Sequence, residues 1–79
     1  MSMMIEMAGL VVPRTALSMS EKTCLLMVAE GMPVPAISSV LAMPQFEVEG
    51  MLSLVEDKLG ASNRLHAVSI AMRQGHIGF

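Results

Sequence analysis

Residues 45–60 read Gln45-Phe46-Glu47-Val48-Glu49-Gly50-Met51-Leu52-Ser53-Leu54-Val55-Glu56-Asp57-Lys58-Leu59-Gly60. Val48, Leu52, Val55 and Leu59 recur at alternating steps of four and three, which is the period of one α-helical face. The stripe predicts a helix from Pro44 or Gln45 to Leu59. Gly60 suits its end, because glycine alone enters the left-handed cap conformation at no steric cost. A second glycine, Gly50, sits mid-helix, where it costs about 1 kcal/mol relative to alanine.

The flanking sequence repeats the pattern. Asn63 is a good N-cap for a helix ending near Gly75, with Ala67, Val68, Ile70, Ala71 and Met72 along it. Upstream, Ile37 and Leu41 stand four apart on a short helix from Pro35, where proline is tolerated in the first turn. Ala42-Met43-Pro44 joins it to the long helix. Further upstream, Ser18-x-x-Glu21 forms a capping box for a helix over 19–30, with Gly31 as its terminator. No stretch alternates as a strand would. The chain therefore reads as all-α with four helices. Its expected core is Leu17, Leu25, Val28, Ile37, Leu41, Val48, Val55, Leu59, Val68 and Ala71. Residues 1–16 read as an apolar, Met-rich arm, and residues 17–79 as one domain.

Seventy-nine residues suffice for a single small domain. A chain of this size buries only about 60% of its unfolded surface, so dimerisation would help it. Hydrophobic residues make up 53%, with ten methionines and two phenylalanines, a soft apolar inventory that suits an interface. Net charge is −2, and Arg14, Lys22, Lys58, Arg64 and Arg73 are scattered rather than clustered. A free-standing nucleic-acid binder usually carries a basic patch instead. No run reaches the ~20 apolar residues of a membrane span. The N-terminal stretch contains Glu6 and lacks the basic start of a secretion signal, so a cytoplasmic location is expected.

Several short pieces stand in register: Leu17-Ser18-x-x-Glu21, Ala29-Glu30-Gly31, Lys58-Leu59-Gly60, Asn63-Arg64 and Ala67-Val68. Together they resemble the DNA-binding domain of the LuxR/GerE family of bacterial transcription regulators. The likeness runs without a gap over residues 17–77, about three quarters of the chain. It implies a four-helix LuxR/GerE-like helix-turn-helix fold, with the second and third helices as the motif. The third helix would enter the major groove, and the fourth would hold two copies together.

By that resemblance the DNA-facing residues are Gln45, Glu47, Glu49, Gly50, Met51, Leu54, Lys58 and Arg64. The dimer interface is Val68, Ile70, Ala71 and Met72. The chain departs from the family at the DNA-facing positions. Where the family has Thr-Val-Lys-x-His, this chain has Glu47-Val48-Glu49-Gly50-Met51. Its second helix shows Pro35, Ser39 and Val40 where the family carries cations, and Pro44 replaces a Ser or Thr cap. From Pro44 to Leu59 one cation, Lys58, faces Glu47, Glu49, Glu56 and Asp57, a net −3. Neutralising phosphates with Lys and Arg supplies nearly all non-specific DNA affinity. This helix is therefore expected to meet a polyanion poorly. Gly50, Met51 and Leu54 give it a second, apolar stripe apart from the core one.

Other chemistry is thinly represented. Cys24 lies in the apolar run Cys24-Leu25-Leu26-Met27-Val28-Ala29 and reads as a buried hydrophobe. His66 and His76 stand ten apart with no ligand cluster beside them, so no metal site, cofactor or small-molecule ligand is expected. No nucleophile has a base at triad spacing, and an enzyme is not expected. The expected function is a small stand-alone regulator that pairs with a copy of itself or with a related regulator, duplex DNA being bound weakly. The alternative is an ordinary promoter-binding factor reading DNA through the third helix.

Overall fold

The computed structural model describes residues 16–78. They form four helices and, among the described residues, no strand: α1 (Met19–Ala29), α2 (Val34–Leu41), α3 (Gln45–Leu59) and α4 (Arg64–Arg73). The expected arm, apart from Ala16, lies outside the described residues. Element bounds match the sequence reading to within two residues. No described helix is long and apolar enough to cross a membrane.

Each helix start has a physical reason. Ser18 Oγ accepts from the Glu21 amide at 3.1 Å, and Glu21 Oε1 accepts from the Ser18 amide at 2.7 Å, completing the capping box. Asn63 Oδ1 accepts from the His66 amide at 2.8 Å and caps α4. Pro33 and Pro44 occupy the N-cap positions of α2 and α3, where a missing amide costs nothing.

All four helices end alike. The amide two positions beyond the last helical turn bonds back across six residues: Met32 to the Met27 carbonyl, Met43 to Ser38, Ala61 to Glu56 and His76 to Ala71, at 2.8–3.1 Å. This pattern requires a left-handed residue. Gly31, Gly60 and Gly75 supply it for α1, α3 and α4. In α2 the residue is Ala42, at φ 53°, and no local sequence signal marks it. The Ser38 hydroxyl, donating to the Met43 carbonyl, fastens the same turn. An L-residue at this φ carries a steric penalty of roughly 1–2 kcal/mol that glycine avoids. Ala42→Gly is therefore expected to raise stability by about 0.5–1 kcal/mol, after allowance for glycine's extra chain entropy. Urea unfolding checks this, and a loss of similar size would show that the turn is not strained.

The helix α3 is the hub and touches each of the other three, whereas α2 and α4 do not meet. Val48, Leu52 and Val55 on its inner face are fully buried, against Leu25 and Cys24 of α1, Ile37 of α2, and Ala67, Val68 and Ala71 of α4. Leu17 closes the cluster. Three expected core residues, Val28, Leu41 and Leu59, are only partly buried and pack on its rim. Leu52 of the stripe and Cys24 are buried as read, and Ala67 and Ile70 are buried in addition. The helices are short, so the tightest packing falls where α3 is crossed, and residues near helix ends stay half-open.

Candidate interaction surface

The stripe Val48-Leu52-Val55 turns inward, so the opposite side of α3 must face out. That side carries Phe46, Gly50, Ser53, Leu54 and Asp57, all exposed. Phe46 is 76% exposed and Leu54 48%. Gln45, Glu47, Glu49, Gly50 and Leu54 are exposed, as the sequence reading expected of a DNA-facing surface. Met51 is not on that surface. It is partly buried and packs against the core, because its position on the helix turns it toward the core's edge. Phe46, which the sequence reading passed over, takes its place as the most exposed apolar group of α3. The exposed stripe is thus rotated from the expected one.

The two expected phosphate-binding cations are both engaged within the protomer. Lys58 Nζ donates to both Glu21 carboxylate oxygens at 2.9 Å and to the Ala16 carbonyl at 3.4 Å. The Glu21 side chain is 6% exposed and that of Lys58 24%. Lys58 is therefore drawn across to the start of α1 rather than held out toward a ligand. Burial pushes the Glu21 carboxyl up, but the Lys58 hydrogen bond, the Ser18 amide and the Lys58 charge outweigh it and leave it below its ordinary value. The sequence offered a clue: Glu21 stands four residues from both Leu17 and Leu25, on the apolar face of α1.

Arg64 lies at the first residue of α4 and reaches back to α3. Its Nη2 contacts Glu49 Oε1, and its Nε lies 3.4 Å from Glu56 Oε2. These groups are a quarter to a half exposed, so the pairs add little stability. Their effect is on charge: two of the four acids of α3 are matched, and the one cation near them is used. Glu47 and Asp57 have no ion-pair partner among the described residues.

The expected dimer residues fare unequally. Val68, Ile70 and Ala71 are buried within the protomer, at 8%, 6% and 0% exposure, and offer no area to a second chain. Met72 is 43% exposed. The outward side of α4 carries Leu65, Ser69 and Met72, and Leu65, at 79% exposed, was missed because it lies off the apolar side read from sequence. In so small a domain, α4 needs its richest apolar side for the core.

The remaining chemical groups have structural employment. Burial pushes the Cys24 thiol up against the opposing charge of Arg64, so it is an apolar core group rather than a nucleophile. His66 Nδ1 accepts from the Ser62 amide at 3.0 Å and closes the turn before α4. Among the described residues no group of three metal-ligating side chains gathers. No protein-family model matches this chain, and no curated protein matches it either.

Proposed function

We propose that this chain is a helix-turn-helix domain of the LuxR/GerE type that acts in transcription control through protein contacts, with little affinity for DNA. In this reading α2 and α3 are the motif, and the Ala42-Met43-Pro44 turn sets their angle. One observation carries it. Both cations available to the groove-facing region, Lys58 and Arg64, are tied to acids of the same chain. What remains outward on α3 is apolar, acidic or neutral, with no cation free to meet a phosphate. Such a helix gains nothing from displacing counterions off a phosphate backbone. The partner is a second copy or a related regulator. A mixed dimer with one competent recognition helix would lose most of its operator affinity. No catalytic role or cofactor is part of this proposal.

The ordinary promoter-binding reading has one point in its favour: Gln45 and Glu47 are exposed on the first turn of α3, where base edges are read in this motif. Glutamine pairs with adenine and a carboxylate accepts from cytosine. A titration with random duplex at low and physiological salt separates the two readings. The proposed function expects affinity no better than the ordinary non-specific ~10⁻⁴–10⁻⁶ M. Nanomolar, sequence-selective binding would replace it with the alternative.

Pairing is expected through the outward side of α4, Leu65-Ser69-Met72, in place of the buried residues. Light scattering at high micromolar concentration should give a dimer mass. Leu65→Glu with Met72→Glu should give a folded monomer, since neither side chain belongs to the buried core. A monomeric wild type, or a double variant that still dimerises, would remove α4 from the interface.

A further inference from the structure

We infer that the outward face of α3 is a docking site for one cationic amphipathic helix, whose apolar row seats over a notch at Gly50. The inference rests on the reading that α3 serves a protein rather than DNA, and it names the surface and the chemistry of the partner.

The first observation is the glycine itself. Gly50 is the weakest helix former after proline, placed in the middle of the longest helix. Among the described residues nothing asks for it. Its φ is not positive, and a Cβ built on it would meet no packing atom of the other described residues within 4 Å. The space its missing side chain leaves opens outward. Glycine at such a place admits the close approach of another chain.

The second observation is what surrounds the notch. Phe46 and Leu54 stand one turn before and one turn after Gly50, both largely exposed. The three residues form a single row, with a bulky apolar group at each end and a gap between. A helix that lays residues i, i+3 or i+4, and i+7 into such a row fills it. The third observation sets the charge of the occupant. Glu47 and Asp57 border the row without ion-pair partners among the described residues. Lysine or arginine at the edges of the incoming helix would match them. A second copy of this chain laid here across a two-fold axis would bring acidic borders together. The chain's own arm, residues 1–16, is apolar but holds Glu6 and a single cation, Arg14, against the two acids of the row.

The 79-residue chain is titrated by fluorescence anisotropy with a labelled synthetic helix bearing a leucine row bordered by lysines. A control peptide keeps the leucines and replaces every lysine by glutamate. The cationic peptide is expected to bind at least about tenfold more tightly, with an affinity that falls as salt rises. Gly50→Gln should fill the notch and weaken binding by about tenfold or more, while the melting temperature stays level or rises. Glu47→Gln with Asp57→Asn should flatten the salt dependence. Leu65→Glu, on α4, should leave peptide binding unchanged. Equal binding of the two peptides, no binding of the cationic one, or wild-type affinity in folded Gly50→Gln would overturn the inference. If that happens while the wild type still dimerises and ignores duplex, only this inference falls. If duplex binds this face tightly and displaces the peptide, the proposed function falls with it.

Discussion

Lys58→Met should lower the stability of the folded chain by about 3 kcal/mol, most of what a domain this small possesses. The variant keeps most of the length of the side chain and removes its charge. Glu21 is then left as a carboxylate at the buried start of α1, with the Ser18 amide as its remaining hydrogen-bond donor. Removing one partner of a buried pair is worse than never having the pair, because the other charge stays desolvated. The low end of the usual range is appropriate, since about a quarter of the Lys58 side chain meets water. Glu21→Gln with Lys58→Met should recover much of the loss, and urea unfolding of the three proteins measures the coupling.

The same pair sets an acid limit. The folded-state Glu21 carboxyl is held below its ordinary 4.5. Its contribution is therefore fully present above that value and is lost as pH falls through the folded-state value. In Lys58→Met the hydrogen bond and charge of Lys58 are gone, while burial, which raises the carboxyl, and the Ser18 hydrogen bonds, which lower it, remain. That variant should therefore lose less stability than wild type as pH falls through the carboxylate range. If Lys58→Met unfolds in urea like wild type, and with the same pH profile, the pair has no structural weight.

The second large effect concerns DNA. Glu47→Lys with Glu49→Lys should raise affinity for random duplex at low salt on the order of a hundredfold, with the log–log salt slope steepened by about two. Both residues are exposed and neither joins the core, so the fold should survive. The double change turns the net charge of residues 44–59 from −3 to +1, because two acids become two cations. It also removes one of the two acids holding Arg64, leaving Glu56 as its partner. Met51 should be left alone: it packs on the core, and a polar residue there would test stability instead. A folded double variant, by circular dichroism, that still shows no salt-dependent binding would mean that charge is not what keeps α3 from DNA.

The sequence by itself determined the four helices, the Ser18, Asn63 and glycine caps, and the inward stripe of α3. These depend on residues within a turn or two of each other. Ser18 and Glu21 must lie three apart to cap, and Val48, Leu52 and Val55 must recur at the helical period to share a face. Tertiary structure decided the fate of the charges and of the second faces. Lys58 meets Glu21 across 37 positions of chain, and Arg64 meets Glu49 across 15. No local period carries that information. The same is true of α4, where Val68 and Ala71 read as both core and interface and Ile70 as interface. The scarcity of interior-facing surface in so short a chain assigned them to the core and left Leu65 and Met72 outside. Ala42 takes the left-handed position that ends α2 against its own preference, with the Ser38 hydroxyl bonded across the turn. Periodicity fixes which side of a helix is apolar, but only the neighbouring helices decide which apolar side they cover.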